Sequence, residues 1–406
     1  MYKRWQSQNL IEALSERRAV HLTGARQVGK TTLAESLRLA HMRSYTMDRE
    51  NLRMAAQSDP EGFIERKKGE TVVIDEIQKV PSLMDAIKIR LDHDNEKGQY
   101  LLTGSSNLRF VQAVRDSLAG RMRTIRLNTL TRGEMMGGRG DFLSRAFAHE
   151  FPSRIKGFSK RDVIHFGFCG GYPEALELGE KARREWGKGY LEDLLFKDVQ
   201  DVTAIRKVAS LQKMATCLLA HTGKFFELNG ICAQAQLTKE TAQNYIEALR
   251  ALYLFDAVLP WAKSDYAKLG KRVKYYAADS GLVANVLGWK EDETYLDDDR
   301  SGKLVETWVH HEIAALIDLD CAYSFTHYRD SEKREIDFLI ENDSGEMLGI
   351  EVKAGSVASG DDFRTMRWFA EAFSKKAFTG IVLYSGSDTL RFGDNFYAVP
   401  LGALAL

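Results

Sequence analysis

The eight residues Gly24-Ala25-Arg26-Gln27-Val28-Gly29-Lys30-Thr31 fit the pattern G-x-x-x-x-G-K-[ST]. They lie between a short apolar run, Ala19-Val20-His21-Leu22, and a helical pattern opening near Thr31. Strand, glycine loop and helix in that order are a phosphate-binding loop in the context its chemistry needs. Its two glycines let the backbone wrap closely round a polyphosphate, with N–H groups inward and the start of a helix facing the anion. Gly24, Ala25, Arg26, Gln27, Val28, Gly29, Lys30, Thr31 and Thr32 are therefore the expected nucleotide cradle. Lys30 should reach the β- and γ-phosphates, and the Thr31 hydroxyl should ligand Mg²⁺.

A second motif, Thr71-Val72-Val73-Ile74-Asp75-Glu76, is an apolar run ending in two carboxylates. A strand buried on both faces belongs to a parallel sheet, whose ligands collect at the carboxyl ends of its strands. Asp75 is then placed to hold Mg²⁺ and Glu76 to polarise the attacking water; an acidic helix start is the other reading of Glu76. A third run, Gln99 to Ser106, ends in hydroxyls at the same edge, and Ser105 is the candidate γ-phosphate sensor.

The chain of 406 residues exceeds one ordinary core, so several domains are expected. Lys+Arg and Asp+Glu balance at 57 each, and the overall charge names no partner. Its distribution is uneven. Arg206 to Tyr276 carries 11 basic against 5 acidic residues, net +6, whereas Trp289 to Leu406 carries 12 against 23, net −11. Cys169, Cys217, Cys232 and Cys321 are scattered without a C-x-x-C pair, which suggests neither a zinc site nor a disulfide framework and fits a reducing cytoplasm. No apolar run reaches the ~18 residues of a membrane span, so no membrane partner is expected.

Taken in order, residues 4–17 read as a helix, and β and α patterns then alternate to a last strand at Arg123–Leu127. This predicts a parallel sheet covered on both faces in an α/β fold, residues 1–140. Before the last strand, Arg121 is the candidate finger that would complete a neighbouring copy's site, which makes a homo-oligomer a possible assembly. A surface arginine paired with an acid is the equal alternative. Residues 141–205 are mainly helical, broken at Gly170-Gly171-Tyr172-Pro173-Glu174, and read as a helical lid in which Tyr172 packs.

Residues 206–288 give two helices, a turn capped by Thr238, and two strands at Leu254–Val258 and Arg272–Tyr276, the order of a winged helix. The basic excess suits DNA phosphates, with Lys271, Arg272 and Lys274 on the wing and Gln243 and Asn244 as base-reading candidates. A packing module is the alternative. The acidic run Glu291 to Asp299 reads as an exposed linker. Beyond it, in 289–406, Glu306 falls on a helix and Asp337 on a strand, with Glu351 and Lys353 on one face of the next strand. Acids that hold Mg²⁺ beside a lysine that stabilises charge are what metal-assisted phosphodiester cleavage needs. Glu306, Asp337 and Glu351 are the candidate ligands of a second metal site, Asp337, Glu351 and Lys353 the candidate nuclease set, and a salt-bridged sheet edge the alternative.

The phosphate loop, the Val72–Glu76 strand, Thr103-Gly104-Ser105, Gly170–Glu174, and the pair Glu335-Ile336-Asp337-Phe338 and Ile350-Glu351-Val352-Lys353 together resemble a large prokaryotic family. Its members join an AAA-type P-loop ATPase to a winged helix and a C-terminal domain of unknown function. The last domain looks like a restriction-endonuclease-like fold of the PD-(D/E)XK kind, with Asp337, Glu351 and Lys353 at its motif positions and Glu306 as its helical acid. No proline precedes Asp337, a departure from that motif. The resemblance implies an ATPase using ATP and Mg²⁺ whose nucleotide state moves a winged helix and a nuclease-like domain. The competing expectation is an ATP-dependent switch or scaffold without cleavage.

Overall fold

The computed structural model describes residues 2–37, 41–105, 120–155, 157–199, 208–264, 272–320, 322–374 and 376–406. Ser106, Arg206, Lys271 and Cys321, all singled out in the sequence, lie outside them.

The first sheet is built from β1 (Ala19–Thr23), β2 (Met42–Thr46), β3 (Thr71–Asp75), β4 (Tyr100–Gly104) and β5 (Met122–Arg126). Its order is β2-β3-β4-β1-β5, every pair parallel. Side-chain alternation divides the buried strands between two cores. Val20, Leu22, Val73 and Leu101 pack on one face with Leu10, Leu14 and Leu33 from the helices Gln6–Glu16 and Lys30–Ser36. Ala19, Val72, Ile74, Tyr100 and Leu102 pack on the other with Leu83, Ile87 and Leu91 of the helix Ser82–His93. This is the expected α/β sheet, covered on both faces. The last strand shifts by one residue from the sequence reading: Met122 joins the ladder, and Leu127 lies just past it with its amide still donating to the Thr23 carbonyl at 2.8 Å.

Helices dominate from Arg132 to Ala251. The helix Lys160–Cys169 opens on a capping box between Ser159 and Asp162, and it packs closely enough on a later helix that a Cβ at Gly167 would lie 2.7 Å from Leu304. Three helices, Val208–Ala220, Leu228–Ala235 and Lys239–Ala251, precede an antiparallel hairpin of β6 (Phe255–Pro260) and β7 (Lys274–Ala277). The hairpin does not stand free. Through Leu259 and Pro260, β6 runs parallel to β8 (Tyr323–Arg329), and the hairpin becomes one edge of an eight-stranded sheet. The remaining strands are β9 (Glu335–Asn342), β10 (Met347–Val352), β11 (Phe378–Tyr384), β12 (Leu390–Arg391) and β13 (Phe396–Pro400). The sheet order is β12-β13-β11-β10-β9-β8-β6-β7.

The acidic run expected as a linker is structured instead. Glu291–Leu296 is a helix, and Asp297 caps the 20-residue helix Asp298–Ile317 by accepting from the Asp299 and Arg300 amides. Acids at a helix start satisfy its free N–H groups and face its positive end, so a like-charge run there stabilises structure. Among the described residues, two apolar cores cross the sequence boundaries: one runs from Leu10 to Val283 and another from Phe142 to Ala405. The chain's last residues return to the first unit, where the Arg139 amide donates to the Leu406 carbonyl at 2.9 Å. No helix among the described residues is long and apolar enough to cross a membrane.

Candidate active site at the phosphate loop

Residues 24–29 turn from β1 into the helix Lys30–Ser36. Gly24 has φ +147° and a Cβ there would lie 2.2 Å from the Leu127 carbonyl oxygen; Gly29 has φ +96°. Both positions demand glycine, one for space and backbone and the other for backbone alone. Lys30 is 5% exposed. Its ammonium donates to the Gly24 and Ala25 carbonyls at 3.0 and 2.8 Å, which folds it back over the loop it would share with a polyphosphate.

Asp75 ends β3 among hydroxyls. Thr31 Oγ1 donates to it at 3.0 Å, Thr46 Oγ1 at 3.4 Å, and Thr103 Oγ1 also donates. This oxygen-only donor set suits a hard cation, and Thr31 and Asp75 are the residues that would hold Mg²⁺. Glu76 has φ +55°, unusual for a residue with a Cβ. Its carboxylate accepts from Ser105 Oγ at 3.2 Å and from the Gln78 amide, and Gln78 in turn donates to Ser105 at 3.2 Å. Ser105 is thus brought to the expected water-activating carboxylate. Gln78 had no sequence signal: it lies in a short 3₁₀ turn after the acidic pair, and only the return of β4 brings Ser105 to it.

A cavity of about 710 Å³ runs along the loop from Gln27 to Leu33 and meets Glu76. Its far wall comes from Tyr2, Lys3, Arg4, Leu130, Pro173, Glu174 and Glu177. Arg4 holds that wall in place, donating to the Val28 carbonyl at 2.9 Å and pairing with Glu134 at 3.0 Å. Distant segments also touch the loop. Tyr190, which stacks on Trp186 and packs tilted against Tyr172, donates to the Arg26 carbonyl at 3.2 Å. Tyr253 shares a 2.8 Å hydrogen bond with Thr23, the last residue before Gly24, and itself sits at φ +57°. Tyr172 is buried and hydrogen-bonded to Tyr190, so it packs as expected.

Arg121 is not brought to this site. It precedes β5 at the end of the sheet opposite the loop, since Met122 aligns with Ala19 and Arg126 with Thr23. Its guanidinium pairs with Asp92.

The C-terminal acids also gather differently from expectation. Lys274 of β7, expected on a DNA-facing wing, is 1% exposed. Its ammonium donates to Glu306 at 2.6 Å, Glu335 at 2.8 Å and Asp337 at 3.4 Å, and the Tyr276 hydroxyl donates to Glu306 at 2.7 Å. Arg272 is half exposed and pairs with Glu227. Lys353 lies 3.4 Å from Asp362 and 4.0 Å from Glu351. Burial, joined by the charge of Asp337, raises Glu306 to about 7 and pushes Glu351 well above the usual carboxylate range. Burial pulls Lys274 down, but Glu306, Tyr276, Asp337 and Glu335 outweigh it and hold the ammonium well above its ordinary value. Among the described residues no three His, Cys, Asp or Glu side chains are set to share a metal ion. Glu306 and Asp337 face a lysine that the sequence reading had placed elsewhere.

Residues 16–136 match the family model described as an AAA domain. Residues 160–293 and 301–404 match two domains of unknown function, DUF8612 and DUF4143. The chain carries a P-loop AAA-type ATPase domain, with a site built for ATP. Over 400 residues it is 27% identical to the uncharacterized proteins Rv2008c of Mycobacterium tuberculosis and Mb2031c of Mycobacterium bovis, covering 96% of this chain and 82% of each relative. Among solved structures it aligns with the Thermotoga maritima RuvB Holliday junction branch migration motor at a TM-score of 0.29 and 13% identity, over 71% of this chain and 96% of that one. It also aligns with the S. cerevisiae Hsp104–ADP complex at 0.29 and 13%, over 77% and 44%. Likenesses this loose carry no argument about the chain.

Proposed function

We propose that this chain is an ATP-hydrolysing switch whose nucleotide state is passed from the phosphate loop to the helical region and the β6–β7 hairpin. The observation that carries the reading is the linked constellation at the strand ends: Lys30 and Thr31 on the loop, Asp75 among hydroxyls, and Glu76 held by Ser105 and Gln78. With ATP bound, Lys30 exchanges its loop carbonyls for the β- and γ-phosphates. Mg²⁺, when held by Thr31 and Asp75, neutralises charge on those phosphates. Glu76 orients water and accepts its proton, and Ser105 positions the carboxylate. Tyr190 and Tyr253 touch the loop and the strand that feeds it, so loop movement alters their contacts directly.

DNA is the partner this reading assigns to the helix Lys239–Ala251, where Gln243 and Asn244 are exposed. The 206–288 unit acts there as a winged helix, in a cytoplasmic protein that assembles with further copies of itself. Steady-state ATP turnover with and without duplex DNA tests the proposal, with Lys30→Ala as the binding-dead control. Absence of turnover in both conditions overturns the switch. A second reading, Mg²⁺-dependent cleavage by a restriction-endonuclease-like domain through Asp337, Glu351 and Lys353, is favoured by the two acids lying on adjacent strands β9 and β10. Incubating nucleic acid with Mn²⁺, with and without ATP, tests it: product lost in both Asp337→Ala and Lys353→Ala supports cleavage, and no product refutes it.

A further inference from the structure

A second cavity of about 380 Å³ lies beside the nucleotide cavity, where three stretches meet. They are the turn from Leu130 to Arg132, the helix Lys160–Cys169 with Gly170 after it, and the long helix Asp298–Ile317. Its volume falls within the ~300–1,000 Å³ usual for small-molecule sites. Tyr2 and Leu130 line both cavities, which therefore share a wall. Two polar groups on the lining of the second cavity are left unsatisfied. Glu312 is 1% exposed; its Oε1 accepts from the Arg132 amide at 2.7 Å, and its Oε2 is buried without a hydrogen bond. The Arg132 guanidinium lies 3.9 Å over the Phe166 ring, and its buried Nε also has no acceptor. Among the described residues no carboxylate pairs with this guanidinium or with that of Arg183, which donates to the Ala175 and Leu178 carbonyls instead. Buried donors and acceptors without partners are costly, and these line one space.

We propose that this cavity binds a small organic carboxylate, whose oxygens take the Arg132 guanidinium and the Glu312 carboxyl while an apolar or aromatic body rests against Tyr2, Phe166, Trp308 and Leu176. A guanidinium stacked on a ring keeps its edge N–H groups for a planar oxyanion. Burial raises Glu312 to about 8, so at neutral pH its unpartnered oxygen carries a proton and donates to the ligand. The charged and titratable groups around it are Arg132 and Glu134 on the segment packed against it, His311 on its own helix, and His165, Cys169 and Arg183 across the cavity. Two arginines without carboxylate partners repel a cation, and the apolar walls give an inorganic anion few contacts. Cys169 lies 3.5 Å from His165 Nε2, but burial raises its thiol, so the wall offers no thiolate and the cavity is a binding site rather than a reaction site. The proposal does not depend on the ATP reading.

The test is saturation-transfer NMR of benzoate, phenylacetate and indole-3-acetate, each beside its uncharged amide, with the nucleotide-free full-length protein. Near neutral pH at least one carboxylate should bind with a Kd on the order of 1 mM or tighter, ~10-fold or more below that of its amide. Arg132→Gln, which removes a guanidinium with no hydrogen bond or ion pair among the described residues, should weaken that carboxylate ~10-fold or more. Wild-type affinity should fall as pH rises past about 8, because Glu312 then ionises and repels the ligand. In Glu312→Gln, whose amide still donates, that fall should vanish. Three results overturn the proposal: no carboxylate binding tighter than ~10 mM, which leaves the cavity to water; a folded Arg132→Gln that binds as wild type does; or displacement of the carboxylate by excess ATP, which makes the cavity part of the nucleotide site. Should either variant fail to fold, the wild-type protein decides alone: carboxylate and amide binding equally, or a carboxylate preference undiminished at about pH 9.5, refutes the site.

Discussion

Glu76 shows how a single side chain acquires a role from its neighbours. Its backbone turns into the left-handed region as β3 ends, and its carboxylate then meets Ser105 and Gln78. Glu76→Gln keeps the shape and removes the base, so nucleotide binding should persist while turnover falls by about 10²–10⁴-fold. Binding by fluorescence titration and turnover by phosphate release check the two halves separately. Glu312 makes a different prediction. It is buried, accepts from the Arg132 amide at 2.7 Å, and is raised by burial to about 8. The folded chain then holds a proton that the unfolded chain has released, and stability falls as pH rises from about 4.5 to 8. His310, lowered by burial to about 3, acts in the opposite sense but only below its ordinary value of 6.5. Glu306, raised to about 7, reinforces the decline over most of the same range. Between pH 6.5 and 8, Tm should therefore drop, with a contribution from Glu312 on the order of 1–2 kcal/mol. Part of that slope should vanish in Glu312→Gln, and the remainder belongs to the other raised carboxyls, Glu306 and Glu351.

Among the elements, the helix Lys239–Ala251 and the hairpin that follows it divide between surface and interior. Thr238 caps the helix, and Ala242, Tyr245, Ile246 and Leu249 bury one stripe. Gln243 and Asn244 are left exposed, while Lys274 at the hairpin end is buried. If this helix meets DNA, Gln243→Ala/Asn244→Ala should weaken binding with little change in salt dependence, because neither residue neutralises a phosphate. Loss of one phosphate-contacting lysine should instead lower the log–log salt slope by about 0.9. Titration at several salt concentrations distinguishes them. Between helix and hairpin, Tyr253 is held at positive φ by its place against Thr23 and by Arg126, whose guanidinium lies 5.1 Å over its ring and pairs with Asp256. Tyr253→Phe removes only the hydroxyl. It should cost about 1 kcal/mol of stability and change ATP turnover, with Tm and kcat as the readouts; unchanged turnover would break the link between hairpin and loop.

For the whole molecule, the shared cores predict cooperativity across the sequence units. Leu10 and Val20 belong to the same apolar cluster as Leu211, Leu249 and Leu282. Gly133 packs so closely on Trp5 that a Cβ there would lie 2.5 Å from the indole and 3.3 Å from the Leu404 carbonyl. Cutting the chain after residue 140 would separate Leu10 and Val20 from Leu211, Leu249 and Leu282, and Gly133 from Leu404. The full chain should melt as one main transition, and the 1–140 fragment should lack a cooperative melt altogether; calorimetry on the two decides it, and a fragment that melts sharply near the Tm of the full chain would show an independent unit.

What could be read without coordinates is what depends on local order along the chain. A glycine loop between a strand and a helix, apolar runs closed by Asp75-Glu76, and hydroxyls after β4 determine a parallel sheet and most of an ATP site, because each function follows from a residue's place at its own strand end. The helix capped by Thr238 was legible for the same reason. Contacts between distant segments were not. Nothing in the spacing sends Lys274 into Glu306, Glu335 and Asp337, or Tyr253 to Thr23. Those pairings follow from β6 joining β8 and from helices packing across the units. A run of charges looks solvated in sequence whether it ends in water or in a buried ion pair, and tertiary packing alone decides which.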